Sequence, residues 1–176
     1  AISEAKLPAS RLDVGKLAKE YISGNYASAE AFVEEKLGAS KNVKSVEPKD
    51  VVLYGFGRIG RLLARELASQ MGKGQQLRLR AVVTRDKNDP VLLEKRASLL
   101  RHDSVHGDFD GNVVADHENN ALIINGVSVY MISAAQPEDI DYTTYGINNA
   151  LIIDNTGVFK DEEALSRHLK SVGADK

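Results

Sequence analysis

Tyr54-Gly55-Phe56-Gly57-Arg58-Ile59-Gly60-Arg61 decides how the rest of this 176-residue chain is read. Gly55, Gly57 and Gly60 have the spacing G-x-G-x-x-G, which alone means little. Its neighbours give it meaning. Val51-Val52-Leu53-Tyr54 before it is a short apolar run of buried-strand type. From Arg58 to Met71 the pattern is helical, with Ile59, Leu63 and Leu67 on one face and Leu62 and Glu66 beside it. Gly72-Lys73-Gly74 is the expected stop. In a strand, glycine turn and helix of this kind each glycine has a task. Gly55 makes the tight turn, Gly57 lets backbone approach a pyrophosphate, and Gly60 lets helix and strand pack closely. The helix N-terminus presents free N–H groups and partial positive charge to the phosphates. A dinucleotide site is therefore preferred over a turn without a ligand.

Working outward, Leu77 to Val83 reads as a second strand and runs into Thr84-Arg85-Asp86. An acidic residue at the end of this strand accepts hydrogen bonds from ribose hydroxyls and favours NAD, whereas a basic one pairs a 2′-phosphate and favours NADP. Arg85 and Asp86 predict opposite cofactors, and both stay open at this point. Leu92 to Leu100 reads as a helix. Val113–Ala115, Ala121–Ile124 and Val127–Ile132 read as short antiparallel strands, the last two joined by the hairpin signal Asn125-Gly126. Leu151-Ile152-Ile153-Asp154 is another buried strand. Asp161 caps a helix expected to run through Lys170, with Glu162 and Glu163 in its first turn and Gly173 after it.

Residues 1–48 differ in character. Val14, Leu17, Ala18, Tyr21 and Ile22 recur at helical spacing. Asn25 is the expected cap of a second helix carrying Ala29, Phe32, Val33 and Leu37 and ending at Gly38. Two such helices bury too little apolar area to stand alone, so they are expected to pack on the main domain or another subunit. A structural extension is preferred over a specific binding role. Lys41–Lys49 reads as a linker. The expected division is thus a helical extension and linker over 1–48 and a dinucleotide-binding domain over 49–176.

The composition is globular, with 43% apolar and 27% charged residues and a net charge of -2. Nothing in that balance points to nucleic acid or an anionic membrane as a partner. No apolar run reaches spanning length, and Ala1–Lys6 lacks the basic-then-apolar order of a signal peptide, so the cytoplasm is expected. The chain has no cysteine, which excludes disulfides, thiolate metal sites and a thiol nucleophile within it. His102 and His106 stand at i and i+4, as a helical metal pair would. Gly107 and the surrounding Asp103, Ser104 and Asp108 read instead as a loop, so no metal site is assigned.

Four ordered segments carry a family resemblance. Val52 to Arg61 resembles the apolar strand and N-G-F-G-R-I-G-R turn that open glyceraldehyde-3-phosphate dehydrogenases. Leu100-Arg101-His102-Asp103-Ser104-Val105-His106-Gly107-Asp108-Phe109 resembles that family's Y-D-S-x-H-G-x-F stretch. Leu122-Ile123-Ile124-Asn125-Gly126 is similar to its L-x-I-N-G hairpin, and Asp154-Asn155-Thr156-Gly157-Val158-Phe159 to its E-S-T-G-x-F turn. Residues 1–48 resemble the N-terminal extension of a longer bacterial subgroup. The chain departs from the pattern at Tyr54, where asparagine is usual. It departs again at Arg85, where the register of the acidic ribose reader falls, with Asp86 one step later.

The resemblance implies an α/β fold: a Rossmann-type, doubly wound, mostly parallel sheet, incomplete at its C-terminal side, behind the helical extension. It implies that Phe56, Gly57, Arg58 and Ile59 line the pyrophosphate of NAD or NADP. Asn155, Thr156 and Gly157 would lie beside the adenosine-to-nicotinamide path with Phe159 packed nearby. Asp103, Ser104 and His106 would form a structural loop near subunit contacts, with His106 no catalytic base. The family's reaction converts an aldehyde to an acyl phosphate through a cysteine thiolate, a histidine that takes its proton, and hydride transfer to nicotinamide. That cysteine stands in an S-x-C-T-T-N segment absent here. The chain is therefore expected to bind cofactor without turnover. It would be the cofactor half of a homotetrameric enzyme whose catalytic domain lies elsewhere, rather than a partial remnant or a natural short binding protein. A non-catalytic sensing or assembly module and a related erythrose-4-phosphate dehydrogenase are the alternatives.

Overall fold

The computed structural model describes all residues except 6, 9–11, 43–46, 73 and 88. The described residues form two compact units, 1–48 with 72–76, and 49–71 with 77–176. In the first unit, helix α1 (Val14–Ser23) is capped by Asp13, whose carboxylate accepts the Lys16 N–H. Helix α2 (Ala29–Leu37) is capped by Ser28, whose hydroxyl accepts the Ala31 N–H. This corrects Asn25 as the cap. Both residue types suit the position, but only Ser28 stands where its oxygen reaches a free amide of the first turn. Gly38 is the C-cap of α2, as expected, but its backbone stays right-handed and a 3₁₀ turn continues over Gly38–Asn42. Tyr21, Tyr26 and Phe32 join the two helices through ring contacts of 4.7–6.3 Å. Of the expected linker, residues 43–46 lie outside the described residues, as does Lys73 of the expected helix stop.

The second unit is built on a six-stranded sheet. Its strands are β1 (Lys49–Tyr54), β2 (Leu77–Thr84), β5 (Val113–Asp116), β6 (Ala121–Ile124), β7 (Val127–Ser133) and β8 (Leu151–Asp154), in the order β5-β6-β7-β2-β1-β8. β7, β2, β1 and β8 run parallel, while β5 and β6 form an antiparallel meander with β7. The Asn125-Gly126 turn has φ values of 49° and 82°. Both residues being left-handed matches the twist of the hairpin it closes.

From Val51 to Tyr54 β1 is apolar because both of its faces are covered. Val51 and Leu53 point into one core, with Ala64, Leu67 and Ala68 of helix α3 (Arg58–Ser69) and Leu93, Ala97 and Leu100 of helix α4 (Pro90–Arg101). Val52 and Tyr54 point into the other, with Ile140, Tyr142, Ile147 and Ala150 from the segment before β8. Each fully buried aliphatic side chain here contributes about 2 kcal/mol. The register slips between Val51 and Val52, so that Val51 pairs with Leu79 and Val52 with Ala81. Skipping Arg80 reverses the alternation of β2. Leu79 and Val82 join the first core, Ala81 and Val83 the second.

Three boundaries differ from expectation. α3 stops at Ser69, before Met71. Its buried face is Gly60, Ala64, Leu67 and Ala68, while Ile59 is 59% exposed. The helix lies close on the sheet through small residues, which counting large apolar side chains overlooks. The helix after Asp161, labelled α5 (Glu162–Ser166), is a single turn that tightens to 3₁₀ over Arg167–Lys170, although Asp161 does accept the Ala164 N–H. Residues 102–108, expected as a loop, form a small hairpin of β3 (His102–Asp103) and β4 (Gly107–Asp108). No helix of the described residues is long and apolar enough to cross a membrane.

Candidate functional site

β2 lies on one side of β1 and β8 on the other. The chain order therefore reverses at β1, and the carboxyl ends of these strands form the crevice where open α/β sheets bind ligands. The three strand ends are tied together there. Gly55 N–H donates to the Val83 carbonyl at 2.8 Å and Asn155 N–H to the Tyr54 carbonyl at 3.0 Å. A cavity of about 270 Å³ opens at this edge, lined by Tyr54, Gly55, Phe56, Gly57, Val83, Thr84, Arg85, Asp86, Arg96 and Thr156.

The turn after β1 meets the three demands placed on its glycines. Gly55 has φ +103°, a conformation side chains rarely adopt. At Gly60 a Cβ would stand 2.5 Å from the Gly55 carbonyl oxygen and 2.6 Å from Asn155 Oδ1, so helix and strand touch only because it is glycine. At Gly57 a Cβ would meet no described residue within 4 Å, so this backbone borders open space. Gly57 is also the N-cap of α3, with no side-chain cap and no acidic residue in the first turn. The amides and dipole at that end are free for an anion. A backbone cradle of this kind fits a dinucleotide pyrophosphate.

The end of β2 is built from side chains. Asp86 and Arg85 are both exposed and both line the cavity. Asp86 Oδ2 is bound at 2.8 Å by Arg96 Nη2, which also donates to Thr84 Oγ1 at 2.9 Å. Arg96 comes from the buried face of α4 and only 10% of its side chain is exposed. The helix is set in place by Asp89, whose carboxylate accepts the N–H groups of Val91 and Leu92, and by Pro90 in its first turn. Arg85 makes no ion pair with a described residue.

The remaining expected residues lie around this cavity rather than in its lining. Arg58 turns to the 102–108 hairpin, 3.7 Å from Asp103 Oδ2 and within 3.4 Å of Ser104 Oγ. Arg61 stands 3.8 Å from the same carboxylate and donates to the Phe56 carbonyl. Asp103 is the hub of that hairpin. Its Oδ1 accepts the Val105 and His106 N–H groups and lies 3.0 Å from His106 Nδ1. The His106 ring contact, then the backbone donors, hold its carboxyl well below the usual carboxylate range. His102 faces Asp108 at 2.7 Å. Each of these two histidines has a carboxylate partner, and among the described residues no cluster of His, Asp or Glu is arranged to hold a metal ion.

Beneath the mouth of the crevice lies a packed platform. Asp154, at the end of β8, accepts the Thr156 N–H and hydroxyl on Oδ1, and its Oδ2 lies 3.0 Å from His168 Nε2. Both side chains are 5% exposed. The His168 ring packs edge-on against Tyr54 at 4.6 Å and Phe159 at 5.0 Å. Burial first, and then the Asp154 charge, push the Tyr54 hydroxyl up and keep it neutral. Arg167 covers the Phe159 ring and grips Glu138 at 2.7 and 2.9 Å. Asn155 lies against α3 with its Oδ1 buried and without a hydrogen-bond partner among the described residues, and Gly157 takes φ +70° in the turn between Thr156 and Phe159. Tyr54, Thr84, Arg96 and His168 were not assigned to the site from sequence. Arg96 and His168 come from helices distant in sequence. Only the departure at Tyr54 marked that residue as unusual.

Comparison with known proteins agrees with this architecture. The sequence profile of the glyceraldehyde 3-phosphate dehydrogenase NAD binding domain matches residues 49–162. A glyceraldehyde-3-phosphate dehydrogenase-like protein of Pseudomonas aeruginosa (strain UCBPP-PA14) is 52% identical over 182 aligned residues, covering 100% of this chain and 39% of that protein. Glyceraldehyde-3-phosphate dehydrogenase 1 of Agaricus bisporus is 41% identical, covering 72% of this chain and 34% of its own length. The enzyme of Mycoplasma pneumoniae (strain ATCC 29342 / M129 / Subtype 1) is 36% identical, covering 69% and 32%. The chain thus spans between about a third and two fifths of the length of these relatives, and the Pseudomonas protein matches it through the N-terminal helices as well. The profile of this family's NAD binding domain covers residues 49–162, and the chain belongs to the glyceraldehyde 3-phosphate dehydrogenase family.

Proposed function

We propose that the crevice at the ends of β1, β2 and β8 holds a nicotinamide dinucleotide, NAD or NADP, for a phosphorylating aldehyde dehydrogenase. The observation that carries this reading is the turn after β1. One glycine is left-handed, one is pressed against backbone, and one stands beside open space at an uncapped helix N-terminus. Gly55, Phe56, Gly57 and the first amides of α3 bind the pyrophosphate. Arg58 and Ile59 flank it, and Gly60 keeps the helix close enough to serve. Arg85 and Asp86 meet the adenosine ribose. Asn155, Thr156 and Gly157 border the path toward the nicotinamide, with Phe159 supporting them from below.

A nicotinamide held by these residues would supply the hydride acceptor for oxidation of an aldehyde. This chain has no cysteine, so the thiol that attacks the aldehyde comes from outside it, and these 176 residues bind and orient the cofactor without turnover. The division into a helical extension over 1–48 and a dinucleotide-binding domain over 49–176 belongs to this reading. So do a missing catalytic domain, a homotetrameric whole and a cytoplasmic location. Calorimetric titration with NAD and NADP tests it. Saturable binding of at least one dinucleotide without acyl phosphate formation is expected, and no binding of either at millimolar concentration overturns the reading.

A further inference from the structure

Arg85 and Asp86 stand side by side at the end of β2, and a rule based on one residue at that point gives opposite answers for them. The structure adds a third charge. Arg96 reaches the same rim from α4 and binds Asp86 at 2.8 Å. One carboxylate oxygen is thereby occupied and its charge is compensated. The rim of the cavity then carries two guanidiniums and one carboxylate, a net charge of +1.

The donors on this rim are not used up. Only Nη2 of Arg96 donates to described residues, to Thr84 Oγ1 and Asp86 Oδ2, so Nε and Nη1 remain. Arg85, exposed and lining the same cavity, has no ion-pair partner among the described residues. A neutral ribose 2′-hydroxyl leaves the surplus positive charge of the rim unmatched. A 2′-phosphate supplies acceptors with the geometry that guanidinium groups match.

We propose that this rim selects the 2′-phosphorylated dinucleotide, NADP over NAD, with Arg85 as the direct phosphate contact and Arg96 as the residue that sets the sign of the rim by neutralising Asp86. The inference rests on the dinucleotide reading of the crevice. Arg96 has two roles, as counter-ion to Asp86 in the free protein and as second phosphate donor when the ligand is bound. The Thr84 contact keeps its guanidinium at the strand end in both.

The test is equilibrium binding of NADP and NAD to the native full-length protein at fixed ionic strength, with 2′-phospho-AMP and AMP as probes of the rim alone. NADP is expected to bind about tenfold or more tightly than NAD, with the same ranking for the two fragments. Arg85→Ala, a change at an exposed residue, should reduce NADP affinity about tenfold and NAD affinity far less. Arg96→Gln should abolish the preference by releasing Asp86, and adding Asp86→Asn to it should restore part of the NADP affinity. Equal or tighter NAD binding, or an Arg85→Ala variant that weakens both cofactors alike, overturns the selectivity and leaves the dinucleotide reading standing. Failure of both cofactors to bind overturns both.

Discussion

The turns that follow β1 and β2 lie side by side on the same cavity and are made in different ways. The first is backbone chemistry. Gly55, Gly57 and Gly60 contribute a left-handed residue, open space and a close approach, and no side chain between them. The second is side-chain chemistry, in which Thr84, Arg85 and Asp86 receive Arg96 from the next helix. A pyrophosphate is the same in every dinucleotide, so the surface that meets it can be fixed in the fold. The ribose end is where cofactors differ, and there the protein uses groups that one substitution can change without moving the chain.

That contrast can be broken by mutation. The largest loss is expected from Gly60→Ala, whose Cβ would stand 2.5 Å from a carbonyl oxygen. A cost of about 2–3 kcal/mol should appear in denaturant unfolding, with cofactor binding lost as helix and strand separate. Gly57→Ala should separate stability from binding. Its φ of -69° suits alanine and its Cβ meets nothing. Stability should hold or rise by up to about 1 kcal/mol, while titration shows dinucleotide affinity falling at least about tenfold. Equal destabilisation by the two alanines would sink the account of the first turn.

The hairpin that holds Arg58 and Arg61 sharpens the comparison through pH. The Asp103 carboxyl lies below its ordinary value of 3.8, first because of the His106 side chain and then because of backbone donors. A carboxyl depressed on folding stabilises the protein fully above its unfolded value, and that stability is lost as pH falls toward the folded value. The thermal advantage of the native protein over Asp103→Asn should therefore be widest near neutrality and shrink below pH 3.8. A difference that does not depend on pH would refute the role given to this carboxylate. The smallest effect is expected at the second turn. Thr84→Val removes an acceptor of Arg96 and should cost about 1 kcal/mol, measured by chemical denaturation, with pyrophosphate contacts untouched.

The two turns also differ in how far the sequence reveals them. Glycine spacing encodes backbone geometry locally, so the tasks of Gly55, Gly57 and Gly60 can be assigned from eight consecutive letters. The Arg96–Asp86 pair joins residues ten positions apart on different elements, and no periodicity marks it. The β1 and β8 strands, the Asn125-Gly126 hairpin and the helix over Leu92 to Leu100 are equally legible, because each is set by neighbouring residues. Exposure of Ile59 is not legible. Helical spacing puts it with Leu63 and Leu67, but the surface facing the sheet takes Gly60, Ala64 and Ala68 beside Leu67 and leaves Ile59 out. His168 is hidden for a different reason. Its pairing with Asp154 depends on the tightening of α5 into a 3₁₀ turn, which the strong Asp161 cap does not foretell.

Arg65 of α3 spends its guanidinium on three carbonyls, those of Leu100 and Arg101 at the end of α4 and that of Gly107 in the β3–β4 hairpin. A ladder of two residue pairs has little cohesion of its own. One side chain therefore makes α3, the end of α4 and the hairpin a single cooperative unit. Their amides should exchange with solvent together, in one opening event, rather than fray one element at a time.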